Sequence, residues 1–281
     1  MEICRTGLIW NPTKRNALSV ASELTGSLRR RGCEVFADGE INRNTDCGVL
    51  DGDTVADCDL LFVLGGDGTI LHALDYAIPH EIPILGVDLG RLGFLAEIEP
   101  ADLEQDLDLL FAGRFRFEDR MMMAVEGQED ALFALNEVVI SRRNSLSGIL
   151  SVETAVNGTA IDRVSGDGMI VASATGSTAY SMSAGGPIVA PGLECFVLTP
   201  ICPHTMNARP VVASADERIT IRIIDKPDEA TAVFDGRRTF HFSRENSEIT
   251  LVRSVRKARF IRLHERNYFE MLHGKLSQWT H

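Results

Sequence analysis

Leu60-Leu-Phe-Val-Leu-Gly-Gly-Asp-Gly-Thr-Ile70 carries an unbroken apolar run straight into a glycine-rich turn that holds one carboxylate. The continuous apolar character of residues 60–64 suits a parallel strand buried on both faces. A helix is expected over 70–77, with Leu71, Leu74 and Ala77 on one side, and Pro79 is expected to stop it. In open α/β sheets ligands bind outside the carboxyl ends of strands. Gly65, Gly66 and Gly68 therefore fall where backbone N–H groups can approach a polyphosphate without a Cβ in the way. Thr69 reads as the start of the helix, whose positive end faces the same anions.

The loop lacks the third glycine of a dinucleotide fingerprint, because Leu71 stands there, and no Walker sequence occurs in the chain. Asp67 is the unusual element. A carboxylate inside a phosphate-cradling loop repels its own ligand unless it binds a cation or takes a proton from an attacking hydroxyl, and both roles point to phosphoryl transfer. The plain alternative is a Gly-Asp-Gly turn closing a core strand.

Around this stretch the first part of the chain alternates strand and helix signals. Residues 6–10 read as a strand and 15–31 as a helix with Leu18, Ala21, Leu24 and Leu28 on one face, capped by Gly32. Strands near 33–37 and 82–87 and a helix over 100–111 complete a βα series, which predicts a doubly wound parallel sheet. Beyond residue 116 the runs become short, alternating and β-branched: 133–141, 150–156, 169–172, 195–201, 218–224 and 248–252. Asn157-Gly158 is a hairpin signal. The fold class is thus an α/β N-terminal domain followed by a mainly antiparallel β domain. The boundaries fall at 1–115, 116–260 and a helical tail over 261–281 that can pack back on the first domain.

At 281 residues with a formal charge of −12, the chain is long enough for two domains, and nonspecific nucleic-acid binding is disfavoured for want of a basic surface. The acidic stretch 46–59 reads as a solvated loop. No apolar run approaches membrane-spanning length and no leader is evident, so a cytoplasmic protein without membrane contact is expected. Cys4, Cys33, Cys47, Cys58, Cys195 and Cys202 form no Cys-x-x-Cys pair, which argues against a zinc site or a disulfide framework. Cys202-Pro-His204 has no partner ligands at metal-site spacing, and the Asn157-Gly-Thr159 sequon is idle in a cytoplasmic protein.

Two further segments can carry chemistry. Asn136-Glu137 interrupts an apolar strand with an amide and a carboxylate, groups suited to a sugar or a base edge. In 166–187 a strand gives way to hydroxyls and small residues around one aromatic: Thr175, Ser177, Thr178, Ala179, Tyr180, Ser181 and Ser183. Small residues permit close approach and Tyr180 can stack on a ring. Tight helix packing explains the alanines and glycines there but not the hydroxyls. His72, one turn into the helix after the loop, can contact a phosphate, and Lys14 and Arg91 are cations available to offset donor charge.

These motifs together resemble the NAD kinase family: Gly65-Gly-Asp-Gly-Thr69, Gly90-Arg-Leu-Gly-Phe-Leu-Ala96, Leu135-Asn-Glu-Val-Val-Ile140, Asp167-Gly-Met-Ile-Val171, Thr175-Gly-Ser-Thr-Ala-Tyr180, Ser183-Ala-Gly-Gly-Pro187 and Pro200-Ile-Cys-Pro-His204. The first is shared with 6-phosphofructokinases and diacylglycerol-type lipid kinases; the later ones are specific to NAD kinases. The resemblance implies Asp67 as general base, taking the proton of the adenosine 2′-hydroxyl of NAD as that oxygen attacks the γ-phosphate of ATP. It implies Gly65, Gly66, Gly68 and Thr69 as the donor-phosphate loop with a divalent metal, Mg2+ by chemistry. Asn136 and Glu137 would bind the adenosine part, Asp167 the nicotinamide side, and Thr178, Ala179, Tyr180, Ser181 and Ser183 the adenine and ribose region, with His72 a substrate contact. ATP or polyphosphate as donor, NAD or NADH as acceptor and the metal's identity stay open, and family members form homodimers or homotetramers. Asp88 replaces a usual asparagine, Ser173-Ala174 a common Thr-Pro, and Arg237 a usual glutamine. The competing readings are a non-catalytic NAD/NADP-sensing module and a lipid or sugar kinase sharing the Gly-Gly-Asp-Gly loop.

Overall fold

The computed structural model describes residues 2–45, 47–90, 93–143 and 149–278. The chain divides into two compact units, one made of residues up to Asp119 together with those from Ala258 onward, the other of Arg120–Lys257.

The first unit is built on parallel strands whose order is Gly48–Val49, Glu34–Ala37, Arg5–Trp10, Leu60–Gly65, Ile84–Asp88, with Phe260 of the strand Glu248–Arg262 against Ile84. Leu8, Trp10, Phe62, Leu64, Leu85 and Val87 pack with Leu24 and Leu28 of the helix Ala17–Arg30 and with Leu103, Leu107 and Leu110. The alternate residues Ile9, Leu61 and Val63 are also fully buried. Both faces are therefore covered, which is why 60–64 shows no polar alternation. The strand order reverses between Arg5–Trp10 and Leu60–Gly65, so the Gly65–Thr69 loop lies at the topological switch point, where open α/β sheets bind ligands.

Two expectations for this unit need correction. The helix after the loop spans Asp67–His80 and runs through Pro79. Proline in the last turn forfeits only one hydrogen bond; the helix ends instead at Glu81, left-handed at φ 56°, with the Ile82 N–H returning to Ala77 O at 3.0 Å. The acidic stretch is not merely a solvated loop. Asp51 caps the short helix Gly52–Val55 in a capping box with Thr54, and Asp59 accepts from the N–H groups of Cys4 and Arg5, both at 2.8 Å. These carboxylates take up backbone donors that would otherwise lack partners.

The second unit is antiparallel. One sheet pairs Thr159–Gly166, Leu150–Val156, Ile219–Ile223 and the start of Glu248–Arg262; another runs Val211–Ser214, Cys195–Ile201, Gly168–Ser173, Glu137–Arg142, Ala230–Phe234, Arg238–His241. Val138, Ile140, Val171 and Phe234 from the second sheet meet Leu150, Val152, Ile219 and Leu251 from the first in a common core. Asn157 and Gly158, at φ 48° and 78°, form the expected hairpin, with Val156 opposite Thr159.

Strand Glu248–Arg262 is far longer than the 248–252 expected, and Arg116–Val125 and Ala230–Phe234 appear where no strand was anticipated. The tail forms the helix Tyr268–Gln278. Among the described residues no helix is long and apolar enough to cross a membrane.

Candidate functional site

Asp67 opens the helix Asp67–His80, with Gly66 as N-cap and Thr69 buried in the first turn rather than capping it. The positive helix end favours a negative charge at this position. The carboxylate is held from across the loop: the Phe94 N–H donates to Oδ2 at 2.9 Å and the Leu95 N–H to Oδ1 at 3.1 Å. A Cβ at Gly93 would stand 2.0 Å from Asp67 Oδ1, so only glycine lets the segment approach this closely. Each carboxylate oxygen keeps lone-pair capacity beyond the bond it accepts.

Gly90 and Gly93 are themselves tied by Asp88. Its Oδ1 accepts from the Gly90 N–H and its Oδ2 from the Gly93 N–H, both at 2.7 Å. The departure from asparagine thus supplies two acceptor oxygens where an amide supplies one. Lys14 Nζ lies 3.3 Å from the position a Gly90 Cβ would take. Arg91 lies outside the described residues. His72 is engaged on its own helix, edge-on to Tyr76 and 3.8 Å from Asp75. At about 100° per residue it projects well round the helix from Asp67.

In the second unit Asn136 and Glu137 stand at the break between Phe133–Ala134 and Glu137–Arg142. Asp235, left-handed at φ 48°, accepts from the N–H groups of Leu135, Asn136 and Glu137 at 2.7, 2.9 and 3.0 Å. Ser173 closes the other side: its N–H donates to Asn136 O at 2.8 Å, and its hydroxyl donates to Leu135 O at 2.5 Å and accepts from the Gly176 N–H at 3.2 Å. Serine in place of the common threonine therefore keeps the working hydroxyl. A Cβ at Gly176 would sit 2.0 Å from Asn136 O, which fixes how closely the Thr175–Thr178 turn seats on the dipeptide.

Burial, and then the neighbouring Asp235 charge, push Glu137 up from 4.5 to about 7, against a backbone hydrogen bond from Tyr180 that favours the carboxylate. Among the described residues, Glu137 Oε2 is buried with no hydrogen-bond partner. A buried oxygen without a partner is costly, which suits a group completed by a ligand hydroxyl. Burial raises Asp235 as well, while its three backbone donors pull the other way.

The hydroxyl-rich run divides by role. The Ser177 hydroxyl is buried and bonded to Ala174 O and Val189 O, and Ser181 Oγ is buried 2.9 Å from Thr199 Oγ1. Thr178 Oγ1 donates to Thr175 O at 3.4 Å, Ala179 is half-buried, and Ser183 and Tyr180 are exposed, Tyr180 at 44%. Asp167 is exposed at the far end of Gly168–Ser173, its N–H bonded to Ile201 O at 3.0 Å. Six residues of strand, roughly 20 Å at about 3.3 Å per residue, separate it from the Asn136–Glu137 group, so within the unit the two are not brought together.

Sequence reasoning missed Asp88, Phe94 and Asp235 as parts of these sites, and also Lys275. Lys275 Nζ lies 3.8 Å from the centroid of the Phe94 ring. Its pKa is lowered by burial, with Asp67 and Asp88 pulling in the opposite sense. Among the described residues no group of three or more His, Cys, Asp or Glu is placed to hold a metal. Mg2+ commonly takes only one or two carboxylates plus substrate phosphates and waters, so a cation that arrives with a polyphosphate does not require such a group.

Comparison with known proteins gives one consistent result. The ATP-NAD kinase N-terminal domain matches residues 6–115 and the ATP-NAD kinase C-terminal domain residues 135–263. An NAD kinase of Heliobacterium modesticaldum is 39% identical over 97% of this chain and 98% of its own, and one of Symbiobacterium thermophilum 37% identical over 96% and 98%. A crystal structure of an NAD kinase from Archaeoglobus fulgidus in complex with ATP superposes with a TM-score of 0.80 at 29% identity, covering 97% of this chain and 98% of that one. The yeast NADH kinase complexed with NADH has the same fold, with a TM-score of 0.88 at 22% identity. With a parallel α/β unit bearing the Gly-Gly-Asp-Gly loop, an antiparallel β unit and both family domains matched along its length, the chain belongs to the ATP-NAD kinase family.

Proposed function

We propose that the protein transfers the γ-phosphate of ATP to the adenosine 2′-hydroxyl of NAD, giving NADP, with Asp67 as the general base. The observation that carries this reading is the fixed Asp67 carboxylate: at a helix N-terminus, at the switch point of a parallel sheet, with both oxygens held by the Phe94 and Leu95 N–H groups. A carboxylate so held is oriented before substrate arrives. It accepts the proton of the attacking hydroxyl, a contribution of about 10²–10⁴-fold; alignment and charge neutralisation supply the rest.

The Gly65–Thr69 loop cradles the donor phosphates through backbone N–H groups at the helix N-terminus, although those of Thr69 and Ile70 are already donated to Gly66 O at 2.9 and 3.2 Å. Asn136 and Glu137 hold the adenosine part of the dinucleotide, supported by the unpartnered Glu137 Oε2 and the three-donor clasp on Asp235. Tyr180, exposed and with its backbone hydrogen-bonded to the Glu137 carboxyl, stacks on a ring; Thr178, Ala179, Ser181 and Ser183 shape the adenine and ribose region, Ser181 through packing. Asp167 takes the nicotinamide side and His72 a substrate contact. A divalent cation, Mg2+ by its oxygen chemistry, enters with ATP and neutralises phosphate charge when bound.

The reading makes the protein a cytoplasmic enzyme. It also makes it self-associating, as the exposed Val211 and Val212 on the outer strand Val211–Ser214 support.

Purified protein incubated with NAD, ATP and Mg2+, and assayed with an NADP-specific dehydrogenase, tests the reading. NADP from the parent and none from Asp67→Asn, with dinucleotide binding retained in the variant, is the expected result. Equal turnover by the variant removes the base assignment. Binding without any product, with NADH or polyphosphate tried as well, favours a sensing module.

A further inference from the structure

The tail of the first unit is fastened where it reaches the Asp67 loop. Arg262 Nη1 donates to Leu95 O at 2.8 Å and pairs with the buried Glu97 at 3.3 Å; the N–H groups of Leu263 and His264 both donate to Glu97 Oε1 at 2.9 Å. Leu95 is therefore gripped through both of its backbone groups, its N–H by Asp67 and its carbonyl by Arg262. From this anchor the helix Tyr268–Gln278 runs against Phe94, whose ring lies 6.2 Å from that of Tyr268 and 3.8 Å from Lys275 Nζ.

We propose that the C-terminal helix completes the phosphoryl-transfer site, with Lys275 as the cation that binds the donor polyphosphate beside Asp67. The proposal rests on the kinase reading above. Lys275 is half-buried, and among the described residues its ammonium makes no ion pair or hydrogen bond; it rests on the face of Phe94, within the field of Asp67 and Asp88. A lysine placed only for helix solubility would turn its head to water. Burying a cation without a bonded anion is unfavourable unless an anion arrives, and a triphosphate brings charge to the Asp67 carboxylate that needs offsetting there. Phe94 couples the two ends of the arrangement, because its N–H holds Asp67 while its ring supports Lys275.

The test uses the full chain with Lys275→Met, which keeps the contact with Phe94 and removes the charge, and Lys275→Arg, which restores it. The readouts are kcat/KM for ATP at saturating NAD, KM for NAD, inhibition by inorganic tripolyphosphate against ATP, and Tm. K275M should lower kcat/KM for ATP and weaken tripolyphosphate inhibition by roughly tenfold or more, with KM for NAD within about twofold and Tm nearly unchanged. K275R should recover most of both losses. Parent-like behaviour of K275M, or an equal loss in K275R, overturns the proposal. Should K275M unfold, Lys275→Gln carries the same comparison. Asp67→Asn is measured alongside: if it turns over normally the base assignment fails, while tripolyphosphate binding by calorimetry still decides the role of Lys275.

Discussion

Phe94 and Asp67 are joined by a backbone-to-carboxylate hydrogen bond of 2.9 Å, made possible by the neighbouring Gly93, at which any Cβ would stand 2.0 Å from the same carboxylate. The proposed base is thus set by a segment distant in sequence, and its position depends on the bareness of one residue.

Replacing Gly93 with alanine should push Asp67 out of place. A displacement on the order of 1 Å at a reacting group costs about 10²-fold, so kcat is expected to fall by that order while NAD affinity, measured calorimetrically, stays within a few-fold. Unchanged kcat would show that Asp67 need not occupy the observed position.

Asp88 offers a graded case. Asp88→Asn retains one acceptor for the Gly90 and Gly93 N–H groups, and Asp88→Ala retains none. Hydrogen bonds to a charged group are worth about 1.5–3 kcal/mol each. Unfolding measured by denaturant should therefore rank parent above asparagine above alanine, with about 2 kcal/mol between successive steps. A variant pair indistinguishable from each other would contradict the two-bond role.

Glu137 gives the protein a pH dependence of definite sign. Its carboxyl is protonated in both folded and unfolded chains below pH 4.5, and the folded chain holds the proton up to about 7. Stability from this group is therefore full below 4.5, is lost progressively as pH rises through about 7, and stays lost above it. Glu137→Gln removes the ionisation, so its Tm relative to the parent should climb between pH 4.5 and 7 and then level off. A Tm difference independent of pH would argue that Glu137 titrates as an ordinary surface carboxyl.

Gly176→Ala places a methyl group against Asn136 O. Overpacking of this kind costs about 1–3 kcal/mol, and the Thr175–Thr178 turn must lift from the Asn136–Glu137 pair to accept it. NAD affinity should weaken by about tenfold or more, while the kinetics of donor use at saturating NAD change little. An alanine variant with parent affinity would separate the turn from the dinucleotide site.

The residues that sequence made legible are those whose signal is local. Residues 60–64 announce a strand covered on both faces because every one of them is apolar, and Asn157-Gly158 announces its hairpin because both residues tolerate positive φ. Asp67, Asn136 and Glu137 stand out by being polar where their surroundings are not. What stayed hidden depends on partners far along the chain. Asp235 looks like any turn residue until its carboxylate is seen collecting three N–H groups about a hundred residues away in sequence. Strand Glu248–Arg262 escapes notice because Arg253, Arg256, Lys257 and Arg259 break its apolar rhythm, each paired to an acidic residue rather than packed in a core. Lys275 is one cation of a mixed helix, and only the Phe94 ring beneath it singles it out.

The first unit takes its strand at Phe260 from chain that follows the whole second unit. On a ribosome working at about 5–20 residues per second, the sheet edge at Ile84 therefore waits on the order of ten seconds for its partner. During that wait an apolar strand edge is open to other nascent chains. Messages cut short anywhere before residue 258 should consequently yield aggregates rather than a working nucleotide module, however intact their glycine-rich loop.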